Sequence, residues 1–292
     1  MFFFGMKIRP EGEFNFGGVC SDLGQDGSVK IMLTNDDGVF ADGIQALRRE
    51  IVTLEGAEVY LVAPDRERSA TGHAITVHRP LHVKQLPFPD GAGAWSVTGT
   101  PADCVKLALE ALLPGKPDLV ISGINRGPNL GTDVFYSGTV SAAIEATFAG
   151  IPSMAVSIGD YDHVDYSLAA SFSRWIARKI LSDGLPPGTL LNINVPATDE
   201  EHLAGVDICK LGVRLYKDVF DRRVDPRGKV YYWLAGDLQD LENDPDTDVV
   251  ALQQNMIAVT PIQLDLTNHA LVSELKSWNL GRWAGKGRAV DK

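Results

Sequence analysis

Cysteine is scarce and unpatterned in this chain: Cys20, Cys104 and Cys209 lie far apart in 292 residues. An odd count without close spacing argues against a disulfide framework or a thiolate metal cluster, and it suits a reducing cytoplasm. No apolar run approaches the length of a membrane-spanning helix, so no membrane is expected as partner. Met1-Phe2-Phe3-Phe4 is too short for a signal-peptide core and has no charged segment before it. Positive charge is also short: 27 Lys and Arg face 38 Asp and Glu, a net charge of −11, with no basic stripe. That balance argues against a nucleic-acid polymer as partner, while local cations can still serve a small phosphorylated substrate. The glycine-rich nucleotide fingerprints are missing: Gly38 and Gly43 have neither the Lys-Ser/Thr ending nor the dinucleotide spacing. No nucleophile-elbow motif supports Ser-His-Asp catalysis. No internal repeat is visible.

The chain does contain a regular alternation of apolar runs and amphipathic stretches. Ile31-Met32-Leu33, Glu58–Ala63, Asp118–Ile121, Ser153–Ile158 and Leu190–Val195 read as buried strands. Ile44, Leu47 and Ile51 share one face of a helix after the first strand. Thr100-Pro101-Ala102-Asp103 is a capping box that starts another helix, with Val105, Leu109 and Leu112 directed inward. Ser137-Gly138-Thr139 opens an alanine-rich helix running to Phe148. Nearly all-apolar strands between helices predict a mostly parallel sheet covered on both faces, of Rossmann-like three-layer α/β/α type.

Residues 1–29 lack core periodicity and are expected to be a disordered extension, with residues 30–205 as the α/β core. Residues 206–266 read as extended β segments with a turn at Asp225-Pro226-Arg227-Gly228, and 267–292 as a last helix and tail. Tyr231-Tyr232-Trp233 is too apolar for a free hairpin, which makes packing on a second subunit an option.

The chemistry-bearing residues follow the strands. Asp36 and Asp37 stand side by side in Thr34-Asn35-Asp36-Asp37-Gly38, and their mutual repulsion is relieved most simply by a hard divalent cation. The same pair can be a solvated turn that caps the next helix, and the motif alone does not separate the two. Ser69, in Asp65-Arg66-Glu67-Arg68-Ser69, can ligate a cation or a phosphate, or simply cap a turn. Asn125 lies in Ser122-Gly123-Ile124-Asn125-Arg126-Gly127, where glycines allow close approach to a ligand. The N–H groups opening the helix at Ser137-Gly138-Thr139 suit a phosphate. Ligands of open α/β sheets bind at the carboxyl ends of strands, so these loops are expected to converge. His73 and His78, and the pair Asp265 and His269, read more readily as structural than as catalytic residues.

Taken together, these motifs resemble the SurE family of stationary-phase survival proteins. They run in the family's order, with Gly99–Val105 and Tyr136–Ser141 among them, and the likeness extends from about Lys30 to Trp278. Arg223–Gly228 is similar to the family's hairpin region. The resemblance implies a metal-dependent nucleotidase acting on nucleoside 5′- and 3′-monophosphates, with short polyphosphate as a further substrate. It implies one divalent cation (Mg²⁺, Mn²⁺ or Co²⁺) at Asp36, Asp37, Ser69 and Asn125. Asp36, Asp37 and Asn125 are then the catalytic set, and Ser69, Asn129, Ser137, Gly138 and Thr139 the phosphate-binding set. It also implies a C-terminal β extension exchanged between subunits in a homodimer or homotetramer. A covalent aspartyl-phosphate mechanism is disfavoured, because the position two before Asp37 is Asn35. A nucleotide sensor without turnover would need a broken metal site.

Overall fold

The computed structural model describes residues 28–88, 91–162, 164–238, 243–280 and 283. Apart from residues 28 and 29, the expected N-terminal extension therefore lies outside the described residues. The first strand, β1 (Val29–Thr34), starts where that extension was expected to end.

β1 has water on neither face, and its side chains alternate between two separate apolar clusters. Ile31 and Leu33 point into one cluster with Ile44, Leu47, Ala169 and Ala177. Met32 points into the other with Cys104, Val105, Ala142 and Ala146. Helices α1 (Asp42–Ile51) and α4 (Ser167–Asp183) pack together on the first face. On the second lie α2 (Pro101–Leu107) and α3 (Gly138–Phe148). The expected three layers are present, and the strand-period alternation explains them.

Four strands surround β1 in a parallel array: β2 (Ala57–Pro64), β5 (Leu119–Asn125), β6 (Ser153–Ile158) and β7 (Thr189–Val195). β3 (Val83–Leu86) and β4 (Gly93–Val97) extend the sheet beyond β2. β11 (Met256–Gln263) joins β7 antiparallel and carries β8 (Gly205–Ile208) at the far edge. The full order is β3-β4-β2-β1-β5-β6-β7-β11-β8. From β1 the chain builds outward to β2 on one side and later to β5 on the other. The crevice at the carboxyl ends of β1 and β5 is therefore a topological switch point.

Segment 206–266 is shared between two structures. Most of β8 and all of β11 lie in the main sheet, with α5 (Asp248–Gln253) preceding β11. β9 (Tyr216–Val224) and β10 (Val230–Leu238) form a separate two-stranded ribbon. α6 (His269–Ser277), capped by Asn268, is the last helix among the described residues. Among the described residues no helix is long and apolar enough to cross a membrane.

Two details depart from the periodicity. After α2 the chain widens into a π-helical turn, Ala108–Leu112. That shift buries Ala108 and leaves Leu109 and Leu112 only partly covered against the α2–α3 cluster. β3 has no apolar run to betray it, because Val83 and the two residues after it are exposed at the sheet edge.

The capping box at Thr100 is realised in full. The Thr100 hydroxyl accepts from the Asp103 N–H at 3.1 Å, and Asp103 accepts from the Thr100 N–H at 2.9 Å. The same hydroxyl donates to the Ala74 carbonyl at 2.7 Å, tying the loop after β2 to this helix. Thr100→Ala loses both bonds and should destabilise the protein by roughly 1–2 kcal/mol. Thr100→Ser, which keeps the hydroxyl, should recover most of the loss. Urea denaturation of the two variants tests this, and equal midpoints for both would refute it.

Candidate active site

The loop after β1 is closed by its own side chain. The Asn35 amide donates to the Gly38 carbonyl at 2.9 Å, and its oxygen accepts the Gly38 N–H at 3.2 Å. Gly38 adopts φ +105, and an added Cβ would press on the Arg66 backbone at 3.2 Å. The loops after β1 and β2 are laced further where the Arg68 N–H donates to the Asp36 carbonyl at 2.7 Å. Asn35 is thus spent on shape, which leaves Asp36 and Asp37 as the chemical groups of the loop.

Asp36 is almost wholly buried, at 4% exposure, against the N-terminus of α3. The Thr139 hydroxyl donates a short hydrogen bond to its carboxylate. Gly138 lies so close that an added Cβ would sit 2.8 Å from Asp36 Oδ2. Burial pushes the Asp36 carboxyl up to about 7; the Thr139 bond opposes that rise, and the neighbouring Asp37 charge adds to it. Asp37 is also raised, mainly by burial and further by Glu67, while the Arg126 N–H at 3.1 Å pulls it down. Among the described residues neither carboxylate forms an ion pair with Lys, Arg or His.

A cleft of about 330 Å³ opens over this floor, lined by Asp37, Asp42, Glu67, Ser69, Arg126, Tyr161 and Tyr166 together with Ala41. Three carboxylates against one guanidinium make it an acidic cleft. The Ser69 hydroxyl donates to Glu67 Oε1 at 2.7 Å, so its lone pairs face elsewhere. The Asn125 amide nitrogen is held by the Gly127 carbonyl at 2.7 Å, leaving its oxygen as the available ligand. Two carboxylates, a hydroxyl and an amide oxygen form an all-oxygen donor set that fits a hard divalent cation. Among the described residues no cluster of three or more His, Cys, Asp or Glu offers an alternative metal site.

The sequence-derived residues thus fall into distinct groups. Asp37 and Ser69 share the cleft, and Asn125 adjoins it through Arg126. Asp36 lies behind, and Thr139 spends its hydroxyl on Asp36. Ser137 caps α3 by accepting from the Val140 N–H at 3.1 Å, which leaves its own O–H to donate. Asn129 is buried and committed to the fold: its amide donates to Ser157 at 2.8 Å, and its backbone is held by Asn192 and Asn194. His73 pairs with Glu145 at 2.8 Å and stacks on Phe148, while His269 pairs with Asp265 at 2.6 Å on the surface. Sequence reasoning missed Tyr161, Tyr166 and Asp42. The two tyrosines lie in a loop and at a helix start with no spacing signature. Arg126 and Glu67 lay inside the quoted motifs without a role.

Residues 31–218 match the family model described as Survival protein SurE. The chain belongs to the SurE family. A 5′-nucleotidase SurE of Symbiobacterium thermophilum is 55% identical over 251 residues, covering 86% of this chain and 98% of that protein. One from Heliobacterium modesticaldum is 52% identical, over 86% and 92% of the respective chains. The crystal structure of the SurE protein from Aquifex aeolicus superposes with TM-score 0.74 at 39% identity, covering 85% of this chain and 99% of the other.

The raised Asp36 carboxyl has a measurable consequence for the metal-free protein. For an acid whose folded pKa lies above its unfolded one, the stabilising neutral form is complete below pH 4. It is lost as pH rises through about 7. The span from 3.8 to about 7 is worth up to about 4 kcal/mol. Asp36→Asn should remove that loss, so the variant gains on the wild type between about pH 4 and pH 7 and keeps the gain above that. Urea midpoints in chelator-treated buffer measure it, and parallel pH profiles for the two proteins would disprove it.

Proposed function

We propose that this chain is a divalent-cation-dependent phosphomonoester hydrolase that releases phosphate from nucleoside 5′-monophosphates. Nucleoside 3′-monophosphates and short polyphosphate are further substrates. The observation that carries the reading is the Asp36–Asp37 pair: adjacent carboxylates, both raised by burial, at a cleft with oxygen donors and, among the described residues, no ion-pair partner. The 5′-nucleotidase names of relatives at 52–55% identity support a nucleotide as substrate.

Bound at Asp36, Asp37, Ser69 and Asn125, one Mg²⁺, Mn²⁺ or Co²⁺ would neutralise phosphate charge and lower the pKa of a water. Asp37, the more accessible carboxylate, would orient the attacking water and take up its proton. The Ser137 hydroxyl and the first-turn N–H groups of α3 would bind the phosphate oxygens as they gain charge, with Arg126, which lines the cleft, as a cation there. Thr139 fixes the Asp36 carboxylate, and Asn129 fixes the loop behind Asn125. Tyr161 and Tyr166 line the same cleft and would supply aromatic contacts to the nucleoside. Asn35 has no group left for a covalent step, which supports direct attack by water. Cys104 and Cys209 are free, buried thiols, which supports a cytoplasmic setting.

Asp37→Asn should reduce phosphate release from AMP about 100-fold or more, the several kcal/mol a lost Lewis acid removes. Its thermal midpoint should not fall. Phosphate release measured with each divalent ion and with chelator tests this, and wild-type turnover in the variant would dismiss the site.

The assembly belongs to the same proposal: a homodimer or homotetramer held partly by the β9–β10 ribbon. Phe220, Val224, Val230, Tyr232 and Leu234 share one face of that ribbon by register and are exposed, Leu234 at 66%. An apolar face of this kind marks an interface. Excising residues 217–237, whose ends are paired across the ribbon, should reduce the mass by light scattering to that of a monomer. An intact chain that is monomeric at micromolar concentration would rule the exchange out.

A further inference from the structure

The segment Asp65-Arg66-Glu67-Arg68-Ser69 has two working faces. Glu67 and Ser69 line the acidic cleft. Asp65, Arg66 and Arg68 line a second cleft of about 330 Å³ with Arg79, Pro80, His82 and Thr98. The two clefts have opposite charge. In the second, three guanidinium groups face a single carboxylate. On a chain of net charge −11, that leaves two positive charges uncompensated at one place.

The pairing within this cleft is incomplete. Arg68 Nη2 bonds Asp65 at 2.9 Å, but its buried Nε has no hydrogen-bond partner. Arg66 and Arg79 form no ion pair among the described residues. Each guanidinium offers a planar fork of donors suited to the oxygens of a tetrahedral anion. Two surplus positive charges match a dianion, and the cleft has room for a phosphate and a substituent. The scaffold is fixed: the His82 N–H donates to Thr98 at 2.9 Å, and the Thr98 N–H returns to the His82 carbonyl at 3.0 Å.

We propose that this basic cleft is a second anion site, which takes a dianionic phosphate group either free or carried on a nucleoside monophosphate. It is distinct from the catalytic cleft and shares with it only the segment 65–69. The Arg68 N–H holds the Asp36 carbonyl, so an occupant here pulls on the backbone that carries the acid pair. The site needs no metal and does not depend on the nucleotidase reading.

Calorimetric titration of chelator-treated full-length protein with inorganic phosphate, and separately with AMP, at constant ionic strength tests it. Asp37→Asn should bind phosphate as the wild type does. The double variant Arg66→Gln/Arg79→Gln should bind at least tenfold more weakly while keeping its thermal midpoint. Should that pair unfold, Arg79→Gln alone gives the same comparison. Equal affinity in wild type and arginine variant would overturn the proposal, as would tighter binding in Asp37→Asn, because relief of carboxylate repulsion puts the phosphate in the acidic catalytic cleft. An equal heat from chloride at matched ionic strength would overturn it as non-specific screening. AMP binding that phosphate displaces assigns a carried phosphate group to the site, and phosphate binding without AMP binding assigns the free ion. Failure of the nucleotidase reading would show instead as phosphate-releasing activity that ignores Asp37.

Discussion

Much of this structure depends on one buried carboxylate at the start of a helix. Asp36 lies where α3 begins, and the Thr139 hydroxyl and the helix N-terminus are its compensation. Gly138 has no side chain there because there is no room for one. The Asp36 carbonyl meanwhile holds the backbone of Arg68, so the same residue fixes the loop that carries Ser69. The compensation is incomplete, as the raised Asp36 carboxyl records. A fold that buries one acid beside another has built a place for positive charge.

The sheet explains why these pieces meet. Loops leaving β1, β2 and β5 come from three adjacent strands, and the order reverses at β1. Behind them Asn129, Ser157, Asn192 and Asn194 form a buried polar tie between β5's loop and strands β6 and β7. That network spends amides on rigidity, which a site built on loops needs. His73, Glu145 and Lys106 act similarly on the other side, joining the loop after Ser69 to α2 and α3.

What could be read from sequence depended on how local the determinant was. The central strands were legible because burial on both faces demands a continuous apolar run, as in Ile31-Met32-Leu33. β3 was not, because an exposed edge strand needs no such run. Asp36, Asp37, Ser69 and Asn125 could be named because acids, hydroxyls and glycines after strands carry their own logic. Asn129 and Thr139 show the limit. Whether an amide or hydroxyl faces a ligand or a neighbour depends on residues far away in sequence, here Ser157 and Asp36. Tyr161 and Tyr166 reach the cleft only through tertiary packing, and Arg79 meets Arg66 only because the chain turns back beside β4.

The position of β11 bears on how the protein comes into being. A ribosome delivers β1 to β7 first, and at that stage β7 has an open edge in a largely finished sheet. The strand that covers it, β11, is made only after the whole ribbon and α5. Asp248, at the start of α5, also supplies the acceptor for the N–H groups of Gly131 and Gly212 at 2.8 Å each. The nascent chain must therefore carry a sticky strand edge and an unbuttressed active-site loop until α5 and β11 have emerged. This places the burden of safe folding on the segment that follows the ribbon rather than on the strands made before it.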